Sequence, residues 1–301
     1  MLVSIIVCTH SLERYYDLVA GIDSLRKQSY LGIETVIVVD HNEPLFKLLT
    51  DVKDAGGFPT EVLVHNTVIK GLPASRNVGV YTSKGEVVAF LDDDALADKN
   101  WVAELVRMYV DFGATSAGGM IKPYWGAVQR PDFLPDEYLW LIGATHKGFR
   151  EDIGTVRNTF GSNMSFLKNK IDIVGGFKTE FGFSGSGLLQ GEEADMCSRI
   201  HLLTGKMMMY NPGAVVYHKV FPERIKLKTL IKRLFYQGYS KRMMEESKVA
   251  ALSDESGFLK FMLLTSVPDY TYKPLLKLVV MLLFTTVVFV GYCYRLVKSY
   301  V

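Results

Sequence analysis

Short apolar runs rich in β-branched residues, each followed by a helix-length stretch, restrict the fold of this chain more than any other feature. Val3 to Cys8, Thr35 to Val39 and Val87 to Leu91 are such runs, and Glu61 to His65 and Thr115 to Ile121 read as two further strands. Between them, Arg14 to Gln28 carries Leu18, Ile22 and Leu25 at helical spacing. Pro44 to Ala55, Pro73 to Thr82 and Lys99 to Phe112 have helical patterns as well. Strands that alternate with helices predict an α/β fold, a mostly parallel sheet with helices on both faces. In such sheets ligands bind outside the carboxyl ends of the strands, so the chemistry is expected there.

The chain has 301 residues, enough for one large α/β domain and an appendage. Hydrophobic residues make up 49% and charged residues 22%, a globular balance that excludes a disordered chain. A net charge of +2 gives no reason to expect a nucleic-acid partner. Cys8, Cys197 and Cys293 have neither disulfide-framework nor metal-ligand spacing, which suits a reducing compartment. The apolar start lacks the basic lead-in of a secretory signal and reads as a buried strand. From Lys122 to Gly191 periodicity weakens, as expected of an irregular region that covers substrate. Order returns with a helix from Glu193 to Thr204, a strand pair around Met207 to His218, and a long helix from Leu227 to Lys248.

Asp92, Asp93 and Asp94 directly follow the apolar run Val87 to Leu91. Three adjacent carboxylates repel one another unless a positive group sits among them. Mg²⁺ or Mn²⁺ suits such oxygens and keeps positions open for phosphate. An acidic turn capping the next helix would use the same residues, but the buried strand ahead of them favours the metal.

The stretch from Gly71-Leu72-Pro73-Ala74-Ser75-Arg76-Asn77 to Phe90-Leu91-Asp92-Asp93-Asp94 resembles family 2 glycosyltransferases of the GT-A fold. So do Val7-Cys8-Thr9-His10 with Arg14, and Val38-Val39-Asp40. The resemblance implies a UDP-sugar donor, with Thr9, Arg14, Asp40, Arg76, Asp92 and Asp93 in the nucleotide-sugar site. Asp94 would ligate the metal with Asp92, and His218, at the end of Ala214-Val215-Val216-Tyr217, would join them. Inverting transfer also needs a carboxylate to take the acceptor proton. In Gly191-Glu192-Glu193-Ala194-Asp195 the family's base position falls on Glu193, where the family has Asp, with Glu192 in reserve. Acidic residues also simply favour the first turn of a helix. Gly161, Ser162 and Asn163 resemble the segment beneath the sugar and acceptor, where small residues allow close backbone approach.

Leu278 to Tyr294 is free of charge and framed by Lys277 and Arg295, which reads as a short membrane segment. Upstream, Arg224 to Arg242 contains seven Lys or Arg and no Asp or Glu, with Leu227, Leu230, Ile231, Leu234 and Phe235 along an apolar stripe. An amphipathic basic helix of this kind suits an anionic cytoplasmic leaflet, although an ordinary surface helix can look the same. The basic excess ahead of the tail puts the catalytic domain on the cytoplasmic side of the cell membrane. Phe258 to Val267 is too short to span and would sit at the interface. The chain is accordingly divided into a catalytic domain (1–222), a basic interfacial region (223–270) and a membrane segment (271–301).

A narrower set is similar to archaeal dolichol-pathway glycosyltransferases: Trp140-Leu141-Ile142-Gly143, Arg157-Asn158-Thr159-Phe160-Gly161-Ser162-Asn163, Val216-Tyr217-His218-Lys219 and Gln237-Gly238-Tyr239-Ser240-Lys241-Arg242. That resemblance implies glucuronate as the transferred sugar and a dolichyl phosphate-linked hexose as the acceptor. A uronate needs a cation for its carboxylate, and Lys122, Arg130, His146 and Arg157 lie in the plausible region. Two other readings stay open: another family 2 hexosyltransferase for surface polysaccharide or lipid-linked glycan, and a non-catalytic membrane-attached nucleotide- or glycan-binding protein.

Overall fold

The computed structural model describes residues 1–180, 189, 191–246 and 274–299. The expected interfacial patch Phe258 to Val267 lies outside the described residues. Two compact units are present: Met1–Lys122, Arg150–Gly187 and Glu192–His218 form the first, and Pro123–Phe149, Leu188–Gly191 and Lys219–Val301 the second.

In the first unit, β1 (Val3–Thr9), β2 (Ile33–Asp40), β3 (Val62–Asn66) and β4 (Val87–Asp92) are joined through α1 (Tyr15–Arg26), α2 (Glu43–Asp54) and α3 (Leu72–Thr82). These four strands are parallel in the order β3-β2-β1-β4, as the alternating pattern predicts. Their apolar runs are buried on both faces. Val3, Ile5 and Val7 face a core with Leu18, Ile22 and Trp101, while Ile6, Val36 and Phe90 face another with Phe166 and Met196. That two-sided burial is why the strands read as continuous runs and not as alternation.

Beyond β4 the sheet turns antiparallel. β8 (Met164–Leu167) pairs antiparallel with both β4 and β6 (Ser116–Tyr124). This strand and α5 (Lys168–Val174) lie inside the stretch expected to be irregular. The sheet is therefore parallel in its first half and mixed as a whole.

Met208–Lys219 is one strand, β9, and not the expected strand pair. Asn211-Pro212-Gly213 has the composition of a hairpin turn but marks a change of neighbour. Ahead of it β9 pairs with β7 (Gly154–Val156), and after it with β5 (Ala95–Ala97), both antiparallel. Asn211 fixes the change by donating to the Glu104 side chain in α4 (Trp101–Phe112) and accepting from Gly213 N. Proline lacks a ladder donor and is tolerated where pairing switches.

In the second unit, α7 (Leu227–Glu246) packs on α8 (Pro274–Lys298). Leu230, Leu234, Met281 and Phe284 share a core with Leu134, Tyr138, Leu141 and Ile142. Residues Lys277–Lys298, with a mean hydropathy of 1.9, are long and apolar enough to cross a membrane.

Candidate active site

The carboxyl ends of the parallel strands carry Thr9, Asp40, Asn66 and Asp92, so the chain folds its polar residues onto one edge of an apolar sheet. Asp40 accepts from Gly71 N at 3.0 Å and from Asn66 Nδ2 at 3.0 Å. Gly71 has φ +127°, a backbone open to glycine and strained for other residues, and it starts α3. Asn66 Nδ2 is also within bonding distance of Ser75 Oγ and the Ile69 carbonyl. Asp40 and Asn66 together thus hold the turn that presents Arg76. Asn66 carried no motif, and only its place at a strand end could have marked it.

The second carboxylate group forms where β4 runs into β5. Register between β5 and β9 sets His218 opposite Ala95. Its Nε2 lies 3.1 Å from Asp94 Oδ1 and 3.6 Å from Asp92 Oδ2. Asp92, Asp94 and His218 thereby each offer a donor atom within 4.8 Å of the others. Two carboxylates and an imidazole are a donor set suited to a divalent cation. Asp93 points elsewhere: Arg14 Nη1 donates to its Oδ1 at 2.6 Å and lies 3.3 Å from Asp94. Burial raises the Asp93 pKa, against the pull of Arg14. Burial likewise works against the Arg14 charge, but Asp93 and Asp94 outweigh it and raise the pKa.

Arg76 is only 2% exposed. Its guanidinium lies 5.6 Å from the centroids of both Phe90 and Phe177. It donates to Glu192 Oε1 at 3.2 Å and lies 3.8 Å from Glu193 and 3.9 Å from Asp92. A buried cation persists only among such partners. The two glutamates open α6 (Glu192–Thr204) and differ in access. The Glu192 side chain is 2% exposed and that of Glu193 is 21% exposed. Burial and the neighbouring Glu193 push Glu192 up to about 8. Burial also raises Glu193, opposed by Arg76.

Gly161 sits against this pair. A Cβ there would overlap the Arg76 guanidinium and come within 2.7 Å of Glu193 Oε1. Ser162 is buried beside it. Asn163 is spent inside the fold: it accepts from Trp101 Nε1 at 2.8 Å and donates to the Met120 and Ala214 carbonyls. Its side chain is fully buried and braces β6, β9 and α4. Among the cations considered for a uronate, Lys122 and Arg157 belong to the first unit, Arg130 and His146 to the second. Arg130 is engaged by Asp136 at 2.6 Å and by the Leu134 carbonyl. Burial lowers the His146 pKa, and its Nδ1 meets the Lys147 carbonyl. Arg157 donates to Asn158.

A parallel half-sheet with an antiparallel extension, and carboxylates gathered at the strand ends, define an α/β domain whose Asp92, Asp94 and His218 offer a donor set to a divalent cation. The family pattern of glycosyl transferase family 2 matches residues 4–173, and the chain belongs to that family and is a glycosyltransferase. It is 38% identical to the glucosyl-dolichyl phosphate glucuronosyltransferase of Haloferax volcanii, over 98% of this chain and 96% of that one. It is 22% identical to the succinoglycan biosynthesis protein ExoM of Rhizobium meliloti, over 77% of this chain and 71% of that one. Among solved structures, the mannosyltransferase PcManGT of Pyrobaculum calidifontis, in complex with GDP-Man and Mn²⁺, superposes with a TM-score of 0.63 at 16% identity. That match covers 98% of this chain and 86% of the other, and it shows a shared fold.

Proposed function

We propose that this enzyme transfers glucuronate from UDP-glucuronate to a dolichyl phosphate-linked hexose, at the cell membrane and on its cytoplasmic side. The observation that carries the reading is the 38% identity to the Haloferax volcanii enzyme over nearly the full length of both chains. Residues 1–222 form the catalytic part in this reading.

Thr9, Asp40 and Asp92 contact the nucleotide, and Arg76 lies beside the sugar diphosphate. Asp92, Asp94 and His218 would hold Mg²⁺ or Mn²⁺, and a bound cation there would supply positive charge for the departing diphosphate. Glu193 takes the proton of the acceptor hydroxyl as that oxygen forms its bond to the anomeric carbon. The bond from the anomeric carbon to the diphosphate oxygen breaks, UDP leaves with the electron pair, and configuration inverts. Glu193 has the access such a base requires, whereas Glu192 is occupied in holding Arg76. Of the four cations considered for a uronate carboxylate, Lys122 and Arg157 lie in the first unit, which also carries the strand-end carboxylates.

Similarity to the succinoglycan biosynthesis protein favours a second reading, transfer of another hexose into surface polysaccharide. A donor screen separates the two. UDP-glucuronate, UDP-glucose, UDP-N-acetylglucosamine and GDP-mannose would be offered with Mn²⁺ or Mg²⁺ and glucosyl-dolichyl phosphate. Transfer from UDP-glucuronate alone is expected, and transfer only from another donor would discard the uronate.

Gly161→Ala tests the crowding around the base. Its methyl group should displace Arg76 and Glu193 and lower kcat about a hundredfold, the size of loss an ångström of misplacement can cause. Steady-state kinetics on a variant with an unchanged circular dichroism spectrum would check this, and wild-type kcat would remove Gly161 from the site.

A further inference from the structure

The tail of this chain carries a length and hydropathy that fit a membrane span, but its packing points to another arrangement. Contacts between α7 and α8 join their like ends: Leu230 and Leu234 share a core with Met281 and Phe284 near the starts, and Glu246 pairs with Arg295 near the finishes. Gly238 meets Val288, Arg242 lies over the Tyr292 ring at 6.0 Å, and Glu246 accepts from Arg295 at 2.6 Å. The two helices therefore run parallel. Their approach is close: a Cβ at Gly238 would overlap the Val288 carbonyl, and one at Gly291 the Phe235 carbonyl. Small residues at helix contacts permit such backbone proximity.

Parallel packing has a topological consequence. If α8 crossed a bilayer, α7 would cross beside it, and residues 247–273 would have to cross back to reach the start of α8. Neither can do so cheaply. The uncharged middle of α7, Leu234 to Ser240, spans about 10 Å at 1.5 Å per residue, against a hydrocarbon core of about 30 Å. Lys232, Arg233, Lys241, Arg242, Glu245 and Glu246 flank it. The return stretch contains Lys248, Asp254, Glu255, Lys260, Asp269 and Lys273. A charge at the bilayer centre costs about 2.5–3.5 kcal/mol even on the most lenient scale, so three crossings would sum many such penalties.

The face of α8 turned away from α7 is apolar along its length. Val279, Leu282, Leu283, Phe289, Val290 and Val297 are between 49% and 65% exposed. The opposite stripe, with Met281, Phe284 and Gly291, is buried. Lys228 and Lys232 are exposed on α7, cations suited to anionic headgroups. We propose that α7 and α8 form a two-helix platform lying in the plane of the membrane, with the outer face of α8 in the acyl boundary of an anionic leaflet and no segment crossing it. In this arrangement the charges of α7 stay on the aqueous side, and the apolar face of α8 is covered by lipid.

Sidedness decides the question and does not depend on which sugar is transferred. Single cysteines replace Glu223, just ahead of α7, and Ser299, just past α8, in a full-length background lacking Cys8, Cys197 and Cys293. Membrane-bound protein in intact cells is treated with an impermeant maleimide before and after permeabilisation. An in-plane platform keeps Glu223→Cys and Ser299→Cys on one side, so both label equally and only after permeabilisation. Labelling of one site in intact cells and not the other would show a crossing and overturn the proposal. A second variant, Leu283→Asp with Phe289→Asp, changes only exposed positions and should move the protein to the soluble fraction with UDP binding retained. Retention on membranes, or wild-type protein that forms a stable dimer and ignores anionic vesicles, would equally overturn it, the latter because a second copy would cover the face.

Discussion

Asp94→Ala is expected to abolish both turnover and the metal-stimulated part of UDP binding. The carboxylate is fully buried and lies within 4 Å of two other polar groups that matter, His218 Nε2 at 3.1 Å and Arg14 at 3.3 Å. Without it, Asp92 and His218 remain as two donors, too few to hold a divalent cation firmly among water and phosphate oxygens. A metal at a departing diphosphate contributes several kcal/mol, and each 1.36 kcal/mol is tenfold in rate, so a loss of about a thousandfold or more follows. Titration of UDP by calorimetry, with Mn²⁺ and with a chelator, separates this from misfolding. The variant should give the same weak affinity in both conditions. Affinity that still rises with Mn²⁺ would remove Asp94 from the ligand set. His218→Ala should show a smaller loss in the same direction, since both carboxylates stay.

The half of the fold that carries this group was legible because its strands are buried on both faces. Val3 to Cys8 and Val87 to Leu91 read directly as strands, and the acidic run at the end of the latter marked the site. β8 was not legible. Met164–Leu167 has four residues among glycine and asparagine, too short to show a period, and only its partners β4 and β6 define it. β9 was misread because Asn211-Pro212-Gly213 has turn chemistry, and only the positions of β7 and β5 make it a change of partner. The bracing contacts of Asn163 were not legible, because Trp101, Met120 and Ala214 converge on it from elements remote in sequence. The same holds for the ion pair of Arg76 with Glu192, separated by 116 positions. Family resemblance supplied His218, and local spacing could not have. The pairing of α7 with α8 left a fainter mark, a single glycine in the middle of each helix.

Glu193→Gln is expected to remove turnover while sparing UDP. The substitution keeps the shape of the side chain beside Gly161 and Arg76 and removes its capacity to accept a proton. General base catalysis contributes about 10²–10⁴-fold, so kcat should fall by that factor with the UDP dissociation constant little changed. Glu192→Gln should behave differently. Glu192 is buried and donates nothing to an acceptor, but its carboxylate compensates Arg76 at 3.2 Å. Above about pH 8, where Glu192 is ionised, its loss leaves a buried cation with less compensation, so stability and UDP affinity should suffer there along with kcat. Comparable kcat loss in both variants with intact UDP binding in the Glu192 variant alone would exchange the roles. The pH dependence gives an independent check. Glu193 must be ionised to accept the proton, and burial raises its pKa above the ordinary glutamate value of 4.5. Activity should therefore fall as pH is lowered, with a midpoint above 4.5, and the Glu193→Gln variant should lose that acidic limb. An acidic limb that survives in the variant at the same midpoint would assign the titrating base to another residue.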